Sequence, residues 1–124
     1  MRAPYAHDAV VRVAPGGDLA APGGAITVAL CGGWQHAGEP CPLAGHHTTA
    51  ERVGGAGSDE VRLRVLFAAE PGDEAEVRRR IEDALASGTV TGPDGGTRSW
   101  RPGSAAPGTV RADERDHARR LSRS

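Results

Sequence analysis

The chain has 124 residues, with 15 basic against 16 acidic side chains and a formal net charge of -1. This length predicts one domain of modest size. Val, Leu, Ile, Met and Phe supply only 21 of the 124 residues, whereas 18 residues are Gly and 9 are Pro. Because large apolar side chains are few and backbone breakers are many, any compact core must be small and local.

Membrane insertion and secretion are two functions that the sequence argues against. Residues 25–30 form the longest apolar candidate, far short of the about 18 to 20 residues that span a bilayer. Residues 1–8 contain no cationic segment leading into a leucine-rich one, so we expect no secretory signal. Two cysteines are too few for a disulfide scaffold and suit a reducing compartment. We therefore expect a cytoplasmic protein that makes no membrane contact.

Two early segments are predicted to be strands. Residues 8–13 read D-A-V-V-R-V, a β-branched run that a proline and two glycines then stop. In residues 25–31, the side chains of Ile26, Val28 and Leu30 alternate with smaller ones. Alternation with a period of two is typical of a strand that buries one face.

The clearest pattern in the chain predicts a strand over residues 60–67 and a helix over residues 73–87. Apolar side chains alternate along the first segment and recur at helical spacing along the second. Asp73 and Glu76 are spaced as a capping box at the start of the helix. We expect the core to form between two sets of side chains: Val61, Leu63, Val65 and Phe67 of the strand, and Val77, Ile81 and Leu85 of the helix.

The C-terminal quarter carries weaker signals. Residues 97–100 predict a short edge strand, residues 102–107 are rich in Pro and Gly and predict a break, and residues 113–121 predict a weak helix. We therefore expect residues 1–101 to form a single small α+β domain. Residues 102–124 are expected to be a Pro/Gly linker followed by a charged helix or tail.

Together these elements predict an α+β fold. Its mainly antiparallel sheet of about three to four strands is covered on one face by one amphipathic helix, with a weak C-terminal helix beyond it. The opposite face carries Arg62 and Arg64 and is mostly polar or small. That face either meets water or is covered by a second copy of the chain, which makes a homodimer one of the expected arrangements.

The segment between the second and third predicted strands, residues 32–57, shows no apolar period and is predicted to be a long loop. Its first part, together with Cys31, holds both cysteines and three of the five histidines of the chain. A loop longer than about 12 to 15 residues in a compact domain is usually functional or disordered. This segment is therefore the first place to look for chemistry.

Zinc is the ion that this segment suits best. Thiolate and imidazole are its preferred ligands, and the sequence reads C-x4-H-x4-C-x4-H-H. The pattern lacks the close cysteine pair of most structural zinc sites, although its glycines and prolines would let the loop wrap around an ion. The candidate metal ligands are Cys31, His36, Cys41, His46 and His47.

Three other interpretations of the same segment stay open. In the simplest, the loop is polar, Trp34 and Leu43 pack on the sheet, and the histidines are solvated. In the second, Cys31 and Cys41 form a disulfide, which a cytoplasmic location argues against. In the third, Cys41 is a nucleophile activated by one of the loop histidines, with Glu39 orienting that base.

Nucleotide and nucleic-acid binding are not favoured. The chain contains no lysine, so it cannot carry a phosphate-binding loop that ends in Gly-Lys. Residues 111–124 carry five Arg against two Asp and one Glu, which would give weak and salt-sensitive binding to phosphates. The two histidines outside the loop, His7 and His117, are predicted to be surface residues.

The sequence thus favours a small non-enzymatic module that binds an unidentified protein or small ligand, with a Cys/His-rich loop that is a candidate zinc site. The core is too small to enclose a deep active-site cleft, which is the reason for this preference. The alternative is a small hydrolytic enzyme that depends on the Cys/His loop or on a metal held there.

Overall fold

The computed structural model describes residues 2–32, 44–55, 57–92 and 94–122. Within those residues the chain forms six strands and three α-helices, and short 3-10 turns precede α2 and α3. In chain order the elements are β1 (Ala3–Arg12), α1 (Ala21–Cys31), β2 (Gly45–Arg52), β3 (Glu60–Ala69), α2 (Glu74–Ser87), β4 (Thr89–Thr91), β5 (Thr97–Ser99), β6 (Arg101–Gly108) and α3 (Arg115–Ser122).

Four strands form one antiparallel sheet in the order β2-β3-β1-β6, and β4 and β5 pair separately as a hairpin. The sheet strands and the first two helices follow each other as β-α-β-β-α-β, which is the connectivity of the split β-α-β motif. β3 lies between β1 and β2, so the connection through α1 passes across it. The predicted α+β class with a mainly antiparallel sheet is confirmed.

One face of the sheet carries the main core, as the periodicity of β3 predicts. Its alternate side chains, from Val61 to Phe67, are fully buried and pack in one cluster with those of α2. Trp100 closes this cluster at one end, where its indole Nε1 donates a hydrogen bond to Leu85 O at 2.9 Å. Burial of these side chains is the largest favourable contribution to folding that the chain shows.

α2 itself follows the prediction closely at its C-terminal end and differs at its start. Pro71–Asp73 form a 3-10 turn, and the α-helix begins at Glu74. The Asp73 side chain makes no capping hydrogen bond. Glu76 accepts hydrogen bonds from Arg79 and Arg80 instead of closing a capping box.

The strand predicted over residues 25–31 is wrong, because Ala21–Cys31 form α1. Pro22 lies in the first turn, where its missing N–H removes no helical bond, and Gly32 ends the helix with a φ of 80°. Ile26 and Leu30 are buried and lie four residues apart on one helix face, whereas Val28 is only half-buried. A six-residue apolar run fits both the period of two of a strand and the period of 3.6 of a helix, so only packing against the sheet decides that it forms a helix.

β2 lies inside the segment that was predicted to be a loop. Its sequence, G-H-H-T-T-A-E-R, contains no large aliphatic or benzene-type aromatic side chain, so it carries no apolar alternation. The strand exists because it pairs antiparallel with β3 over eight residue pairs, from Gly45 opposite Ala68 to Arg52 opposite Val61. An edge strand of this kind is specified by its partner rather than by its own propensity.

β6 corrects the prediction of a Pro/Gly linker after residue 101. Arg101–Gly108 pair antiparallel with β1, with a shift of register between Val10 and Val11. Prolines are tolerated in an edge strand because their missing N–H can face away from the sheet. The division of the chain into a domain and a tail stays a prediction, but at the level of secondary structure these residues are a strand.

The second face of the sheet was expected to meet water or a second copy of the chain. α3 covers part of it instead. Ala6, Leu66 and Ala118 form a small buried cluster there, with Val110 and Leu121 packed against it. The weak C-terminal helix of the prediction is therefore docked. Few apolar side chains hold it in place, so the polar contacts beside them matter.

Arg64 fastens α3 and the turn before it to the sheet. Its guanidinium donates two hydrogen bonds to the Glu114 carboxylate, at 2.8 and 2.7 Å, and a third to Asp8 at 2.8 Å. Both Arg64 and Glu114 are largely buried. These bonds hold the pKa of Glu114 at about 2, and the backbone N–H of Arg111 adds to the effect. Arg64 was expected to face solvent or a second copy, and it is instead the main polar anchor of the C-terminal segment.

None of the helices in the described residues has the length and apolar character that crossing a membrane requires.

Candidate functional site

A cleft of about 250 Å³ separates α1 from β2. Its walls are formed by α1, with the two residues before it, and by β2, and several of the lining side chains are small or short. Apolar groups and hydrogen-bonding groups share these walls, as in most ligand sites. The lining residues are Leu19, Ala20, Gly23, Thr27, His46, His47, Thr48 and Ala50.

His46 is the central polar group of the cleft. It lies opposite Phe67 in the sheet register, which turns its ring toward α1. Nδ1 is 3.2 Å from Ala44 O, and Nε2 is 3.0 Å from Thr27 Oγ1. A carbonyl oxygen can only accept, so Nδ1 carries the proton in this contact and Nε2 accepts from the Thr27 hydroxyl. The ring is thereby held in one tautomer and one orientation.

Thr48 faces the same side of β2, two residues further on. Its Oγ1 is buried and makes no hydrogen bond to any described residue. A buried hydroxyl without a partner costs about 1 to 3 kcal/mol. Gly23 of α1 lies against this side chain, and a Cβ at Gly23 would come within 3.4 Å of the Thr48 Cβ. The glycine therefore lets the helix approach the strand closely at the polar part of the cleft.

Cys31, the last residue of α1, lies near His46 but does not offer a thiolate. Its Sγ is 3.9 Å from His46 Nδ1, and the cysteine is disulfide-bonded. This agrees with the disulfide alternative at Cys31, whose other member, Cys41, lies outside the described residues. A disulfide sulfur is not a zinc ligand until it is reduced. Disulfides persist mainly in oxidising compartments, so the cytoplasmic location stays a prediction that this bond does not favour.

His47 points to the opposite face of the sheet from His46. Its ring contacts that of His117 in α3, with centroids 4.8 Å apart and planes tilted by 54°. Burial, the adjacent His47 and Arg120 together lower the pKa of His117. Neighbouring residues of a strand face opposite sides, so one ion cannot bind both His46 and His47 without breaking the strand.

The remaining predicted ligands, His36 and Cys41, lie outside the described residues, as do Glu39, Trp34 and Leu43. Among residues 2–32, 44–55, 57–92 and 94–122, no group of three or more potential metal-ligating side chains comes together. The five-residue zinc set therefore stays a prediction. What the structure brings together from it is Cys31 with His46, while the ring of His47 contacts His117 on the opposite face of the sheet.

Thr27 and Thr48 are polar groups of the cleft that no sequence pattern marked as candidates. Thr27 lies within the helix that was predicted to be a strand, so its approach to His46 could not be foreseen. Thr48 sits in the segment predicted to be a loop. The only available signal was the proximity of both threonines in sequence to Cys31 and His46.

His7 was predicted to lie at the surface, and it is fully buried. Arg78 Nη1 donates hydrogen bonds to Ala6 O at 2.7 Å and to His7 Nδ1 at 3.0 Å. His7 Nε2 lies 3.0 Å from Glu82 Oε2. Burial lowers the pKa of His7 against the opposing charge of Glu82, and the Arg78 charge lowers it further. This enclosed group fastens α2 to β1 and is not open to a ligand.

Comparison of the chain with protein-family models, with curated proteins and with solved structures finds no match.

Proposed function

We propose that the chain is a small non-enzymatic binding module whose ligand site is the cleft between α1 and β2. The observation that carries this proposal is the Thr48 hydroxyl, which is buried and has no hydrogen-bond partner among the described residues, at a cleft where Thr27 and His46 are already oriented by hydrogen bonds. Thr48 Oγ1 has almost no solvent-accessible surface, so a ligand hydroxyl or amide would supply the missing hydrogen bond once the Thr48 side chain turns toward the cleft. Ligand binding would then recover free energy that the unliganded fold gives up.

The chemistry of the walls indicates an uncharged, polar ligand. No Asp, Glu or Arg side chain lines the described part of the cleft, so a charged group would lose solvation without gaining a partner. Thr48 can both donate and accept, and the Thr27 oxygen has a lone pair left after donating to His46. Sugars, polyols and primary amides present such groups at short spacing. A polar side chain of a protein partner would satisfy the same atoms.

A thermal-shift screen of neutral sugars, polyols and primary amides tests this proposal. Saturation at about 100 times the dissociation constant would stabilise the wild-type protein by about 2.7 kcal/mol. Thr48→Val keeps the shape of the side chain and removes the hydroxyl, so it should abolish most of that shift. Thr49→Val is the matched control, because Thr49 faces the other side of the strand. Equal shifts in the wild type and Thr48→Val would refute a site built on this hydroxyl.

The hydrolytic alternative has one specific observation in its favour. The Thr27 hydroxyl lies 3.0 Å from His46 Nε2, and Ala44 O holds the other ring nitrogen, which is the arrangement of a nucleophile, a base and an orienting group. Against it, Thr27 is a β-branched residue inside a helix, where it is poorly placed to reach a scissile carbonyl. Turnover of p-nitrophenyl acetate that is lost in both Thr27→Val and His46→Ala would favour the enzyme. Turnover that is unchanged in those variants would contradict the enzyme and favour the binding module.

The zinc prediction enters this proposal as a separate property of the Cys/His segment. Zinc would require reduced cysteines, since Cys31 is disulfide-bonded in the structure. Protein purified without a histidine tag and in the presence of reductant should then contain one zinc per chain, and a chelator should lower its Tm. A metal-free protein with an unchanged Tm under these conditions would exclude a zinc site.

A further inference from the structure

We propose that the outer edge of β2 pairs with the same edge of a second copy of the chain. The two strands would run antiparallel about a two-fold axis at Thr49 and join the two sheets into one of eight strands. This inference does not depend on ligand binding in the cleft. It rests on the contrast between the two edges of the sheet, on the direction of the β2 backbone groups and on the complementarity of the side chains along the strand.

The two edges of the sheet are built differently. β6 contains Pro102 and Pro107 and has an irregular register against β1. Prolines and irregularities of this kind stop an edge from pairing with another chain. β2 has eight residues without a proline, and its pairing with β3 is regular throughout. Only the β2 edge therefore retains the regular backbone that a further strand needs.

Hydrogen bonding at the end of β2 shows which of its backbone groups point outward. Val53 N donates to Glu60 O at 3.0 Å, so residue 53 and every second residue before it face β3. Thr48, Ala50 and Arg52 alternate with these and direct their N–H and C=O groups away from the sheet. In the described part of the chain, no strand pairs with this edge. The bond from Val13 N to Asp59 O shows that His7 and the other odd-numbered residues of β1 face β3 rather than β6. Pro107 lies opposite His7, so its nitrogen points away from the sheet on the β6 edge.

Side-chain complementarity along β2 selects the register of the pair. With the axis at Thr49, His47 of each copy lies opposite Glu51 of the other, and Thr49 lies opposite Thr49 of the other. All three side chains are exposed on one face; an imidazole N–H can donate to a carboxylate, and threonine pairs are favourable across strands. An axis at Thr48 or Ala50 sets Glu51 opposite Gly45 or Thr49 instead of His47, and an axis at Glu51 sets two glutamates together. The register at Thr49 is therefore preferred.

In this register the outward backbone groups also match. Thr48 lies opposite Ala50 of the second copy, and both residues direct their N–H and C=O groups toward the partner strand. Their side chains face α1, so Ala50 of each copy comes to lie beside the cleft of the other. The surface buried by one short strand is below that of a stable dimer, so we expect reversible, concentration-dependent association in the micromolar range.

Analytical ultracentrifugation of the full chain over a range of concentrations tests the inference. Wild-type protein should shift from the mass of one chain to that of two. Ala50→Pro removes an outward N–H and leaves the hydrogen bonds between β2 and β3 intact, so it should abolish the dimer. Ala105→Pro is the matched control, because Ala105 occupies an outward position on β6, and it should leave association unchanged. Circular dichroism confirms that both variants are folded.

A charge exchange tests the register independently of the backbone. His47→Glu and Glu51→Arg should each weaken association about tenfold, and the double variant should restore it because opposite charges again face each other. A wild-type protein that stays monomeric at every concentration would overturn the inference, as would equal loss of association in Ala50→Pro and Ala105→Pro. A double variant no better than its single variants would overturn the register at Thr49.

Discussion

The two faces of the sheet are held by different forces. The face that packs on α1 and α2 buries a continuous apolar cluster that includes Phe67, Ile26 and Ile81. The face under α3 has three buried apolar residues, and the Arg64 to Glu114 pair supplies much of its hold. Apolar burial depends little on pH or salt, whereas an ion pair depends on both. The two faces should therefore fail under different conditions.

Truncation of adjacent residues on β3 gives the largest expected effect. Phe67→Ala should lower the free energy of unfolding by about 3 to 5 kcal/mol, because Phe67 is fully buried among Tyr5 and the side chains of α2. Leu66→Ala, one residue away on the other face, should cost about 2 kcal/mol because its cluster is small. Denaturant melting measures both. An equal cost at the two positions would contradict the contrast between the faces.

Removal of the charged anchor should have the next largest effect. Arg64→Ala leaves the largely buried Glu114 carboxylate without its main partner and should cost about 2 to 3 kcal/mol in denaturant melting. Arg79→Ala, which removes an exposed arginine paired with Glu76 and Asp83, should cost far less because water screens these pairs. If the two variants lose the same free energy, Arg64 is an ordinary surface arginine and does not anchor α3.

Acid should act on the two faces in separate pH ranges. The pKa of Glu114 is about 2 in the folded protein, below its ordinary value of 4.5, so its contribution is complete above pH 4.5 and is lost as the pH falls toward 2. Burial lowers the pKa of His7 below 6.5, so its contribution is complete above pH 6.5 and starts to fall below that pH.

Chemical denaturation at a series of pH values resolves these two ranges. Glu114→Gln should remove the pH dependence of the free energy of unfolding between pH 4.5 and 2, and it should leave the decrease that begins near pH 6.5. His7→Gln should do the reverse, since it removes the buried titrating ring. Loss of both steps in one variant would show that the two faces are coupled rather than independent.

The smallest expected effect is a gain in stability. Thr48→Val removes a buried hydroxyl that has no hydrogen-bond partner in the described part of the chain, and it should raise the free energy of unfolding by about 1 kcal/mol. Thr49→Val, at an exposed position of the same strand, should change it by less than about 0.5 kcal/mol. A loss of stability in Thr48→Val would show that the hydroxyl is satisfied in solution.

The parts of the fold that could be predicted are those where apolar residues recur with a clear period along the sequence. β3 and α2 carry strong periods, and their packing follows from them. α1 could not be predicted because Ile26, Val28 and Leu30 fit a strand as well as a helix, and only contact with the sheet decides. β2 and β6 carry no apolar period, since each is an edge strand whose existence depends on its partner.

The candidate site was predicted only in outline. Cys31 and His46 do lie together, as the concentration of Cys and His in this part of the chain suggested. The separation of His46 from His47 follows from strand alternation, which a segment interpreted as a loop could not reveal. Thr27 and Thr48 are common residue types whose role depends entirely on where α1 and β2 meet.

The binding function is tested most directly by mapping amide shifts in ¹⁵N-labelled protein while a stabilising neutral sugar, polyol or amide is titrated. The account predicts saturable shifts at Thr27, His46 and Thr48, from both walls of the cleft, and their disappearance in Thr48→Val. Shifts on the α3 face alone, or no saturable shift with any compound of these classes, would contradict a ligand site between α1 and β2.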